Sequence, residues 1–190
     1  MPTQFIKPEP SDPTTSTMLL GLSKSLSAQK VYVLSLDQIV NGPAPGDDLF
    51  MGWRYLASIR PDIAIAALAF QRPGGDASFT GITGGPQTAK AVRTAQELPT
   101  LPNPPDGVYE LRLLSIPGLL TECFWLRSQG GGSDWVIPFD TVAPGVQEKQ
   151  FYTMNAFLTL ARPLASARLA ADQNRGSHAP LDDPDPVVGP

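Results

Sequence analysis

Residues 107–140 read GVYELRLLSIPGLLTECFWLRSQGGGSDWVIPFD. Three runs rich in branched and aromatic residues are separated by Pro117-Gly118 and by Gly130-Gly131-Gly132. Runs of this length and composition, bounded by turn residues, are strands, and their succession is a β-meander. With Pro117-Gly118 as the first turn, Leu111 faces Phe124, Leu113 faces Glu122 and Tyr109 faces Leu126. On the other side Glu110 meets Trp125 and Arg112 meets Cys123. With Gln129 to Ser133 as the second loop, Trp125 faces Ile137, Cys123 faces Phe139, Arg127 faces Trp135 and Glu122 faces Asp140. Both faces then carry large apolar side chains, so both need cover. A one-residue slip would turn every side chain to the opposite face. Pro138 cannot donate to a ladder, so the third strand, beginning at Trp135, is an edge or has its free side toward solvent.

Upstream, Val31 to Leu36 (VYVLSL) is a strand, and Asn41-Gly42-Pro43 with Pro45-Gly46 is a loop. Asp47 and Asp48 are placed to cap a helix through Ile59, with Phe50, Trp53, Leu56 and Ala57 as its apolar stripe and Pro61 as its stop. Arg54 and Arg60 fall off that stripe. Asp62 to Phe70 (DIAIAALAF) suits a strand buried on both faces. Phe79 to Ile82 is a short strand, and Gly84-Gly85-Pro86 opens a helix to about Leu98, with Ala89, Val92 and Ala95 or Gln96 inward. Pro99, Pro102, Pro104 and Pro105 make an extended connector.

Downstream, Ala143-Pro144-Gly145 breaks the chain and a helix follows from about Gln147. Its apolar face is Phe151, Met154, Phe157, Leu158, Ala161, Leu164 and Ala165. Pro163 inside it removes a hydrogen bond at a cost of about 3 kcal/mol, which predicts a kink or split near Arg162.

The expected architecture is a single α+β domain over residues 18–171, with a mixed or mostly antiparallel sheet of about five strands and about three helices packed on it. Leu19, Leu22 and Leu26 have near-helical spacing at its start, weakened by Gly21 and three serines. Residues 1–17 form a Pro-rich tail, disordered or extended, and residues 172–190 a disordered acidic and Pro-rich one.

Composition narrows the function. A net charge of -4 and the lack of any basic run argue against nucleic acid and against an anionic membrane surface. The N-terminus has no apolar signal core, and the longest apolar run, Ile63 to Phe70, is too short to span a bilayer, so the expectation is a soluble, cytoplasmic protein. One cysteine, Cys123, allows no internal disulfide. The one histidine, His178, sits in the polar tail, which closes Ser-His-Asp, Cys-His and polyhistidine zinc chemistry. No cofactor is implied.

Three candidate sites remain. Glu122 opposite Asp140 is a carboxylate pair that a metal or a shared proton would stabilise. Thr83, Gly84, Gly85, Thr88 and Lys90 form a glycine-rich turn ahead of a helix that could hold an anion, although Pro86 removes one amide. Trp135 and Arg127, beside the glycine loop, are an interface candidate. Cys123, among aromatics, reads as buried and inert. Together these favour a non-enzymatic interaction or accessory module, self-associating through an edge strand or joined to a protein partner in a larger assembly. The alternative is a small-molecule or anion-binding protein, enzymes included, using the glycine-rich turn or the carboxylate pair.

Overall fold

In the computed structural model, which describes residues 4–6, 27–60, 63–71 and 74–176, the meander supplies three strands of one large sheet. The strands are β1 (Gln4–Ile6), β2 (Ser27–Val33), β3 (Phe50–Arg60), β4 (Ile63–Gln71), β5 (Ala77–Gly84), β6 (Val108–Ile116), β7 (Thr121–Ser128), β8 (Trp135–Thr141) and β9 (Tyr152–Thr153). The helices among the described residues are α1 (Leu36–Asn41), α2 (Pro86–Glu97) and α3 (Met154–Gly176). Eight strands lie in the order β5-β4-β3-β2-β6-β7-β8-β9, and the short β1 pairs with the start of β6. β1 and β2 run parallel to β6, and the remaining pairs are antiparallel. The protein is therefore a single α+β domain with a mixed, mostly antiparallel sheet, wider than the five strands expected. Among the described residues no helix is long and apolar enough to cross a membrane.

The largest correction is β3. The stretch read as a helix from Asp47 to Ile59 is a short 3-10 turn, Asp47–Leu49, followed by an eleven-residue strand. Both faces of this strand are buried, so its apolar residues mimic helical spacing while alternating at period two. Trp53 and Tyr55 pack with Ala67 and Ala69 on one face, and Leu56 packs with Ala66 on the other. Gly52 holds a tight point in this pairing: its φ is 150°, and a Cβ there would sit 2.1 Å from the Ala69 carbonyl oxygen. The second correction is the end of β2. Ser35 and Gln38 form a capping box, with Ser35 Oγ accepting from the Gln38 amide at 3.2 Å and Gln38 Oε1 from the Ser35 amide at 2.9 Å, so a helix starts where the strand was expected to continue.

The meander strands stand where expected, but the first pairing is shifted by two residues: Leu111 faces Leu126, Arg112 faces Trp125 and Leu113 faces Phe124. The cause is the turn. Pro117–Leu119 forms a 3-10 turn and Leu120 closes it in the left-handed region with φ 47°, so the connection takes four residues instead of two. A shift of two keeps every side chain on its expected face. The second pairing is off by one over Trp135–Pro138 and in register at Asp140, because a bulge lies between Glu122 and Cys123. Val136 thus faces Trp125, and Ile137 joins Phe124 on the other side.

The strand at Trp135 is not an open edge. Tyr152 and Thr153 pair with Val136 and Trp135, and the Lys149 amide donates to the Pro138 carbonyl at 2.7 Å. α3 begins at Met154, later than expected, and runs unbroken past Pro163, whose ring lies on the exposed side. Water can serve the carbonyl that lost its donor there, which is why no split follows. The expected tails and the weak helix near Leu22 fall outside the described residues, apart from β1 and the last turn of α3.

The sheet is strongly curved. β3 and β8 are four strands apart, a separation of about 19 Å on a flat sheet. Yet the Arg54 guanidinium lies 5.7 Å from the centre of the Phe139 ring. α2 and the 3-10 turn after it fill the concave side, packing Ala91 and Leu98 against Leu56, Ala66, Leu111, Phe124 and Ile137. Its buried line is Thr88, Ala91 and Thr94, one position off the expected stripe. α1 and α3 cover the convex side over Tyr32, Leu114, Cys123, Trp125 and Val136.

Candidate functional site

α2 starts where β5 ends. Gly85 caps it at φ 113° and Pro86 takes the first helical position. Its first turn is tied across the concave face to β8 and to the loop beyond it: Gln87 Nε2 and Lys90 Nζ donate to Asp140 at 2.8 and 2.9 Å, and Lys90 also reaches Glu148 at 2.6 Å. The far end of the helix is tied by Lys149 to Glu97 at 2.6 Å. Beneath the first turn a cavity of about 270 Å³ opens between the helix and the ends of β2 and β6. Val31, Leu113 and Phe139 give it apolar walls, while Arg54, Ser115, Glu122, Thr83 and Thr88 give it polar ones.

Arg54 is 8% exposed. Its Nε and Nη2 donate to one atom, Gln29 Oε1, at 3.3 and 2.9 Å, and among the described residues no carboxylate is in ion-pair contact with it. The Gln29 amide nitrogen is itself buried and without a hydrogen-bond partner among the described residues. Burial pulls the Arg54 pKa down to about 10, against the attraction of Glu122, so the side chain stays cationic at neutral pH. Glu122 is held by Ser115 Oγ, which donates to Oε1 at 2.6 Å. Burial raises its pKa, opposed by the Ser115 hydrogen bond and the Arg54 charge.

The opposite face has a buried arginine of another kind. Arg112, 5% exposed, binds Glu110 through Nε at 2.7 Å and Nη2 at 2.5 Å, and Asp47 through Nη1 at 2.6 Å. Its guanidinium packs on both the Tyr32 and Trp125 rings, at 4.7 and 4.9 Å from their centres. Lys30 completes the cluster on Glu110 at 2.8 Å. The hydrogen bond from Arg112 holds the Asp47 carboxyl below its usual range.

A third feature is the outer edge of β5, which pairs with no other strand among the described residues. β5 (ASFTGITG) carries no charge and no proline over eight residues. Phe79 is 56% and Ile82 54% exposed. Both lie on the convex side, opposite Ala69 and Ala67, and the bulge between them places Thr80 and Gly81 in the middle of the strand.

The candidate residues from sequence are partly brought together. Thr83 and Thr88 line the cavity, Gly84 and Gly85 lie exposed beside it, and Lys90 is engaged by Asp140 and Glu148. Glu122 and Asp140 are register partners, as expected, but Glu122 turns to Ser115 and Asp140 to α2. Among the described residues no group of three or more His, Cys, Asp or Glu converges as a metal site. Arg127 does not meet Trp135: the one-residue slip takes it to Asp134 at 2.7 Å and over the Trp125 ring at 5.8 Å. Trp135 packs partly buried against the concave core. Cys123 is fully buried, which pushes its thiol pKa up.

No family model, no curated protein and no solved structure matches the chain. Two features escaped the reading from sequence. Arg54, off the apolar stripe of the expected helix, is a buried residue of β3, and β5 is twice the length of the expected strand Phe79 to Ile82. A buried arginine has no local sequence mark. The uncharged run from Ala77 to Gly84 does have one, since edge strands ordinarily carry charge or proline.

Proposed function

We propose that the protein is a non-enzymatic interaction module that assembles through the free edge of its sheet, with a second copy of the chain as the occupant. The observation that carries this is β5, an edge strand without charge or proline that presents Phe79 and Ile82 to solvent. Unpaired backbone groups on such an edge template another strand, and ordinary edges are blunted by lysine, proline or short length. The other end of the sheet is blunted in that way: β9 has two residues and runs straight into α3.

β5 is also complementary to itself. Two copies running antiparallel about a two-fold between Thr80 and Gly81 set Phe79 of each against Ile82 of the other. Ser78 then meets Thr83, and Ala77 meets Gly84. Each pair matches in face, because the bulge brings Phe79 and Ile82 to the same side. Cross-strand aromatic–aliphatic pairs of this kind add roughly 0.2–1 kcal/mol each to the backbone pairing.

Light scattering over a concentration series of the full chain tests this. The wild type is expected to shift from monomer to dimer. Ile82→Lys is expected to stay monomeric with an unchanged circular dichroism spectrum. A wild type that is monomeric at every concentration overturns the proposal, as does an Ile82→Lys variant that dimerises like the wild type.

A further inference from the structure

We propose that the cavity beneath the first turn of α2 binds a small zwitterion, such as a free amino acid, with its acid group on Arg54 and its ammonium on Glu122. The inference is independent of the edge pairing. Its basis is a pair of opposite charges, Arg54 buried and Glu122 half-buried, that line one cavity without touching. Arg54 is buried among apolar walls with an amide oxygen as its hydrogen-bond acceptor, and Glu122 lies in the same cavity with a serine as its partner. Among the described residues neither is in ion-pair contact with the other or with a third charge. Charges removed from water are ordinarily paired, because unpaired burial is costly. Arg112 is the internal control: equally buried, it is matched by two carboxylates and two aromatic rings.

The ligand chemistry follows from what faces the cavity. A plain anion would meet Arg54 but would also lie beside the Glu122 carboxylate, and a plain cation would lie beside Arg54. A molecule with both signs satisfies both groups. The rim charges are not available to compete, since Lys90, Asp140 and Glu148 already bind one another. Val31, Leu113 and Phe139 suit a small apolar side chain. At 270 Å³ the space is smaller than most drug-sized pockets, and at about 30 Å³ per water it corresponds to roughly nine non-hydrogen atoms. That is the size of a free amino acid and smaller than a nucleotide or a peptide.

Isothermal titration calorimetry of the full chain tests the assignment, using free amino acids with apolar side chains, the matching carboxylic acids without the amine, and the matching amines without the acid. The amino acids are expected to bind, and each half-ligand to bind at least about tenfold more weakly. Arg54→Met and Glu122→Gln are each expected to weaken amino-acid binding by about tenfold or more. Equal binding by either half-ligand overturns the zwitterion assignment, and the lack of binding by any amino acid overturns the site. Amide chemical-shift mapping on the wild type keeps the test open if Arg54→Met does not fold: shifts at Ser115, Glu122 and Thr88 support the site, and shifts confined elsewhere overturn it.

Discussion

Arg54 and Arg112 sit on adjacent parts of one sheet, are exposed by 8% and 5%, and point to opposite faces. Arg112 is locked: Glu110 grips it from two residues away on β6, Asp47 closes over it, and Tyr32 and Trp125 hold its plane. Arg54 leans on a single amide oxygen and one ring, Phe139, and looks into a cavity. The difference separates a charge that organises a core from a charge that waits for a partner. On the convex face the polar cluster is satisfied, with Asp47 of the 3-10 turn closing on Arg112, and α1 and α3 cover the apolar residues beside it. On the concave face α2 covers the core but stops short of the ends of β2 and β6.

The comparison can be broken or sharpened by substitution. The largest effect is expected from Glu110→Ala, which strips Arg112 of its bidentate acceptor and leaves it buried; a loss of about 3 kcal/mol in urea unfolding is expected. Arg54→Met should behave oppositely. Removing a buried cation that touches no carboxylate among the described residues leaves stability unchanged or raises it by up to about 2 kcal/mol. A loss as large as that of Glu110→Ala would make Arg54 as structural as Arg112 and erase the distinction.

The smallest effect is a pH dependence at Glu122. Burial raises its pKa in the folded state, so over the interval above the unfolded value the folded chain binds more protons than the unfolded one. Stability contributed by this group is therefore present at low pH and falls as pH rises above about 4.3, the ordinary glutamate value. Glu122→Gln removes that fall. Thermal melts across pH are expected to show the variant gaining on the wild type as pH rises, and parallel curves would mean that Glu122 ionises freely in the fold.

Much of the fold is legible in local pattern. The strands at Ile63, Phe79, Val108, Thr121 and Trp135 and the helix opened by Pro86 follow from alternation, turn residues and caps that act between near neighbours. β3 is not legible in that way. A strand buried on both faces has apolar residues at nearly every position, and Phe50, Trp53, Leu56 and Ala57 then fall by coincidence on helical spacing. The α1 capping box, Ser35 with Gln38, is a local signal, and it ends the strand that β-branched and aromatic residues begin at Val31. The candidate site was legible only in pieces: Thr88 and Glu122 were singled out for separate reasons, and nothing nearby in the chain joins them to each other or to Arg54.

Taken alone, the chain determined that residues 107–140 form a meander and which faces of its first two strands hold Leu111, Leu113 and Phe124 against Arg112, Cys123 and Trp125. That assignment survived an error of two residues in register because the side-chain period of a strand is two. Tertiary structure alone decided the rest. The curvature that brings Arg54 of β3 to Phe139 of β8, the covering of β8 by β9 and the exposure of β5 all depend on how twist accumulates across eight strands. No single window of sequence contains that sum.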